Sequence, residues 1–181
     1  MEKTDTPTIK GIYIKSHVDA VKRAKGDGGL TLLAQKFGKP IDFKNSDAIS
    51  IRDEVHLLEC VTEILSPAPL TKEQLSFQAG RQHFTDFLTT PYAKIIFPYF
   101  QNQFKVVMMQ IHNIASHIFQ GVDFTSIALG DTAVKVIMKN NEYPIEHFRG
   151  LFQSWMEYSG LHGTVEQAQV GQIYEYTMRW Q

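Results

Sequence analysis

The chain's hydrophobic period first changes at Gly121. Before that point apolar residues recur at three- and four-residue intervals, the spacing of one helix face. After it, Asp123 to Leu129 and Thr132 to Lys139 alternate and are rich in β-branched residues, with Gly130-Asp131 between them as a hairpin turn. Helical spacing returns in Ile145, Phe148, Phe152, Trp155 and Met156, behind a Pro144 that suits a helix start. Thr164 to Val170 and Gln172 to Trp180 then read as a second hairpin around Gly171. The pattern predicts an α+β fold: a helical region over 9–121 and a β-β-α-β-β antiparallel sheet over 122–181. One domain spanning 1–181, with a polar leader at 1–8, is the expected organisation.

Within the helical region, Ile9, Ile12, Tyr13, Ala20 and Val21 form a first stripe, although a strand over Ile9 to Ile14 is an alternative. Gly26 to Gly29 should stop that helix, and a second runs from Leu30 to Phe37, ending at Gly38. Ser50 with Asp53, and Thr71 with Gln74, have the spacing of helix N-terminal caps. The first cap precedes a stripe of Ile51, Val55, Leu58, Val61 and Leu65; the second precedes Phe77, Gly80, Phe84 and Phe87. Gly80 leaves room for a neighbouring backbone. One long helix is expected to carry Phe104, Val107, Met108, Ile111, Ala115 and Ile118 inward.

Composition removes several function classes. Lys and Arg total 18 against 19 Asp and Glu, so no positive field exists to draw nucleic acid or an anionic membrane. No apolar run reaches the roughly twenty residues of a membrane span, and the polar start does not resemble a signal peptide; a cytoplasmic protein is expected. A single cysteine, Cys60, rules out an internal disulfide, and a buried inert thiol is the expected role. No phosphate loop and no Gly-x-Ser-x-Gly elbow occurs, so no enzymatic activity is expected.

The 7 histidines divide by helix face. His56, His83, His117 and His147 fall on mostly polar faces, and His162 at a turn, so all five are expected at the surface. Asp53, Glu54, Glu59 and Glu63 read as one solvated face. His17, among Tyr13, Ala20 and Val21, reads as an interior histidine. His112 lies four residues after Met108 and three before Ala115, at the edge of the apolar stripe. A neutral imidazole there has the chemistry of an axial haem ligand; boundary packing is the plainer reading.

Ile9-Lys10-Gly11-Ile12-Tyr13, together with His112 through Phe119-Gln120-Gly121 into Phe124, resembles the H-NOX class of haem-based gas sensors. That resemblance implies His112 as the haem ligand. Gln120 stands where the class has proline, and the propionate-binding Tyr-x-Ser-x-Arg motif is missing around Ile137 to Asn141. Leu129-Gly130-Asp131, Lys139 to Pro144, Phe148 to Phe152 and Tyr174 to Trp180 are similar to a small bacterial family expanded in myxobacteria. The resemblance places it in the superfamily of H-NOX, vinyl-reductase-type and TRAPP-like domains, which implies a ligand-binding or docking scaffold.

The expected function is therefore a non-enzymatic regulatory or sensory module that binds a small apolar ligand, a protein partner, or both. Phe77, Phe84, Phe104, Met108, Phe148 and Phe152 are the expected pocket residues. No cofactor is expected on the first reading. The alternatives are a haem gas sensor using His112 and a dimerising adaptor. In the last strand, Tyr174, Tyr176 and Trp180 either meet a partner or pack on the helix from Ile145.

Overall fold

A computed structural model describes residues 6–100 and 103–181; the first five residues of the leader lie outside the described residues. The chain opens with a short strand, β1 (Thr8–Lys10), that runs directly into α1 (Gly11–Phe37). A second such pair follows, β2 (Ala48–Ser50) into α2 (Ile51–Leu65), and then α3 (Lys72–Phe87) and α4 (Pro91–Phe100). Two short helices, α5 (Phe104–Met109) and α6 (Ile111–Ser116), lead to β3 (Phe119–Gln120). The remainder is β4 (Asp123–Gly130), β5 (Ala133–Lys139), α7 (Ile145–Tyr158), β6 (Gly163–Val170) and β7 (Ile173–Trp180). The strands form two antiparallel sheets, ordered β2-β1-β3 and β4-β5-β7-β6.

The small sheet is absent from the sequence reading because two or three residues per strand are too few to show alternation. Its ladder pairs Ile9 with Ile49 and with Phe119, and Ile9 is buried at its centre. The Pro7 carbonyl also accepts from the Ile51 amide, so the entries to α1 and α2 are tied together.

Two helices differ from expectation. At Gly26 the backbone takes φ 62°, yet the helix resumes at once, so the glycine run kinks α1 rather than ending it. Gly38, with φ 71°, closes the helix. The long helix expected from Phe104 to Ile118 is broken at Gln110, which has φ −101° and ψ 10°. Both N-terminal caps form: Ser50 Oγ accepts from the Asp53 amide, and Thr71 and Gln74 complete a reciprocal capping box.

In the larger sheet Val134, Val136 and Met138 of β5 and Tyr176 and Met178 of β7 are buried, and their alternate neighbours face away. Helix α7 covers this face, and the Tyr176 hydroxyl donates to the Ile145 carbonyl at 2.9 Å. β7 is flanked by β5 and β6, and Trp180 packs edge-on against Phe104 at 5.2 Å. Tyr176 and Trp180 thus pack inside the chain.

On its other side α7 crosses α3, the most extensive helix–helix contact. Gly80 and Gly150 make it possible: a Cβ on Gly80 would collide with the His147 carbonyl, and one on Gly150 with the Phe77 carbonyl. The two backbones meet with no side chain between them.

Candidate functional site

Between α3, α6, α7 and β4 lies a small apolar chamber of about 30 Å³. Its walls include Phe84, Ile111, Ala115, Phe119, Phe124, Phe148, Phe152 and Trp155, and His83 is the one polar side chain among its lining residues. The aromatic rings interlock: Phe119 stacks on Phe124 at 5.8 Å, and Phe84 lies 5.4 Å from Trp155. Packing this dense confines the ligand space to a fraction of an ordinary pocket.

Of the expected pocket residues, Phe84, Phe148 and Phe152 line the chamber. Phe104 and Met108 are buried but do not line it, and Phe104 packs against Trp180. Phe77 is half-buried, beneath the Arg149 guanidinium at 4.3 Å, and does not line it either. His112 is exposed. The predicted inward stripe through Ile111, Ala115 and Ile118 holds across the break at Gln110, and His112 falls on its solvent side.

A second assembly joins the chamber at His83. Four helices deliver polar side chains into the interior: His17 from α1, Glu54 from α2, His83 and Asp86 from α3, and His147 from α7, all of them buried. His17 Nδ1 lies 2.8 Å from Asp86 Oδ2, and Gln82 donates to the other Asp86 oxygen at 2.9 Å. His17 Nε2 and His83 Nδ1 each lie 3.5 Å from Glu54 Oε1. His83 Nδ1 is 3.0 Å from His147 Nε2, and the Tyr143 ring lies 4.5 Å from the His147 ring. The donor atoms of His17, Glu54 and His83 all fall within 4.8 Å of one another, close enough to share one ion.

These placements correct the expected surface positions of His83, His147 and Glu54. Glu54 falls three residues after Ile51, three before Leu57 and four before Leu58, which is the buried ladder of α2. His83 follows Gly80 by three and His147 precedes Gly150 by three, so the close crossing presses both rings inward. His17 is interior, as its neighbours implied, while His56, His117 and His162 are exposed. A polar residue inside an apolar ladder was the available signal in each case.

The cluster is electrically unusual. Burial by itself depresses His17, but the hydrogen bond to Asp86 and the Glu54 carboxylate 3.5 Å from Nε2 outweigh it and hold the imidazole at about 9. Burial works to raise Glu54, and the surrounding imidazoles, His83 foremost, bring it down to about 2. Burial keeps His83 at about 4 and, with His83 adding, His147 at about 3, so both rings are neutral at physiological pH. Burial and the nearby Glu54 carboxylate push the Tyr143 phenol well above its ordinary range. Both Glu54 oxygens, His17 Nε2 and the Tyr143 hydroxyl have no hydrogen-bond partner. Cys60 is buried and its thiol is pushed up by burial.

The sequence matches a family model, described as "Protein of unknown function (DUF2378)", over residues 5–181. The chain belongs to DUF2378. No curated protein matches it. Solved structures similar to this DUF2378 chain are H-NOX proteins. One, from work on H-NOX activation, shares 13% identity at a TM-score of 0.70, covering 96% of this chain and 97% of that one. An oxygen-binding H-NOX domain related to soluble guanylate cyclases shares 11% at 0.66, covering 96% and 95%. The Fe(II) unliganded H-NOX protein from K. algicida shares 12% at 0.65, covering 96% and 97%. The DUF2378 chain therefore has the H-NOX fold.

Haem, the group the fold implies, does not fit the residues of this DUF2378 member. The chamber of about 30 Å³ is crowded by aromatic side chains, whereas ligand pockets run to roughly 300 Å³ and above. His112 points to solvent, and the propionate-binding motif is missing from the sequence. Among the described residues, no helix is long and apolar enough to cross a membrane.

Proposed function

We propose that this DUF2378 chain is a non-enzymatic sensory module that keeps the H-NOX fold and responds to a very small apolar ligand without haem. The observation that carries the reading is the small apolar chamber. Its volume of about 30 Å³ exceeds the roughly 10–15 Å³ needed for one water-sized probe, and its lining is apolar apart from His83. A diatomic molecule matches that size and polarity. Its entry would press on Phe148, Phe152 and Trp155, all on α7, and α7 lies between α3 and the larger sheet. The ligand's effect would leave the domain through that sheet toward a protein partner. Ile127 and Leu129, exposed on the edge strand β4, are the apolar residues best placed to meet one.

Methyl NMR under dioxygen pressure tests the reading. The expected result is paramagnetic broadening of Ile111, Ile114, Ile118 and Leu151 methyls, with Val134, buried away from the chamber, unaffected. Ala115→Leu, which fills the space, should abolish it. Uniform broadening, or none, overturns the chamber as a ligand site. Expression with a haem precursor should give colourless protein; an intense Soret band lost in His112→Ala would replace this reading with the haem sensor.

A further inference from the structure

We propose that His17 Nε2, the Glu54 carboxylate and His83 Nδ1 form a buried three-residue site for one divalent transition-metal ion, zinc or iron(II). The proposal is independent of the chamber reading, since it concerns the four-helix junction behind His83.

Geometry is the first support. Metal–nitrogen and metal–oxygen bonds of about 2.0–2.2 Å place tetrahedral ligands about 3.3–3.6 Å apart. His17 Nε2 and His83 Nδ1 each lie 3.5 Å from Glu54 Oε1, and all three donor atoms fall within 4.8 Å of one another. The donors come from three helices, so no single helix's geometry dictates this convergence.

The arrangement around the donors is the second support. Asp86 holds His17 through Nδ1, which fixes the ring's tautomer and aims Nε2 into the cluster. Gln82 in turn holds Asp86. A carboxylate behind a histidine is the outer shell that metal-bound imidazoles recurrently have.

Charge and hydrogen bonding are the third. Glu54 and Asp86 bring two negative charges into the interior, and among the described residues they meet no lysine or arginine, only histidines. With His17 protonated the group keeps one net negative charge; with a divalent ion and a neutral His17 it carries none. Both Glu54 oxygens and His17 Nε2 lack hydrogen-bond partners, an arrangement that buried polar groups rarely tolerate. One ion gives His17 Nε2 and a Glu54 oxygen a partner. Two imidazoles and one carboxylate are borderline donors, which suit zinc and iron(II) better than calcium or magnesium.

The test uses the full chain purified without a histidine tag. Elemental analysis should find about one zinc or iron per chain. Chelator-treated protein titrated with cobalt(II) should develop the intense visible d–d bands of a four-coordinate site and gain thermal stability. Glu54→Gln and His83→Ala should abolish the bands, and Asp86→Asn should weaken cobalt affinity about 10- to 100-fold. His112→Ala and His117→Ala, both exposed, should leave them unchanged. If a cluster variant does not fold, the wild-type titration and Asp86→Asn decide. Chelator-treated wild type that stays folded yet shows neither bands nor a thermal shift with cobalt overturns the proposal, as do bands that persist in folded Glu54→Gln.

Discussion

Glu54 carries a negative charge to a place with no exposure at all, and three histidines surround it. Reading helix faces one at a time hides such a residue, because Asp53 beside it is partly solvated and the pair looks like a single polar edge. Counting from Ile51 by threes and fours finds it. The same count finds His83 in α3, between Gly80 and Phe87. What no count supplies is that these residues meet, since 17, 54, 83 and 147 come together only through tertiary packing. The caps were legible because their partners sit three residues apart. His112, at the edge of the stripe Met108, Ile111 and Ala115, lies on its exposed side, and spacing alone does not say which way an edge residue turns.

Tyrosines give a check at the same scale. Burial, with Tyr174 and Glu146 adding, raises Tyr176 far above its ordinary range, and burial with Tyr92 raises Tyr13 to about 12. Both are acids whose folded pKa exceeds the unfolded value of about 10, so their contribution to stability is complete below that pH and is lost as pH rises. Spectrophotometric titration near pH 11 should therefore count fewer ionised phenols than the 7 tyrosines present. The remainder should titrate together with the loss of the far-UV circular dichroism signal. Full titration while the fold persists would contradict the burial of Tyr176.

Among the elements, the α3–α7 crossing sets the site's geometry. Adding a methyl at Gly80 or Gly150 drives it into a backbone carbonyl, which cannot rotate away as a side-chain tip can. Gly80→Ala is expected to cost about 1–3 kcal/mol and to lower the midpoint of chemical denaturation. Gly28→Ala is the contrast. It lies in α1 with open space around its Cβ position, so helix propensity alone should stabilise by about 0.4–1 kcal/mol. Equal effects from the two substitutions would mean that the crossing is looser than described. Gly80 was read from the sequence as a point of close approach; Gly150, its counterpart on α7, was not. The two hairpins were legible because each strand runs seven or eight residues, while the strands of the small sheet, at two or three, were not.

For the whole molecule, the expectation of one folding unit becomes a measurement. Trp155 of α7 packs against Phe84, Phe87 and Phe97, so a C-terminal fluorophore sits among N-terminal rings. Tryptophan emission and helical circular dichroism should lose their native values in one coincident transition with denaturant. Separate midpoints would show that the helical region and the β-β-α-β-β unit unfold independently. His83 has a wider consequence. Its ring is wall to the chamber on one side and member of the histidine cluster on the other. Two ligands bound across a shared wall are thermodynamically linked: if occupancy of the cluster alters affinity at the chamber by some factor, occupancy of the chamber alters affinity at the cluster by the same factor. Were both proposed ligands to bind, this one imidazole would join them in a single heterotropic equilibrium.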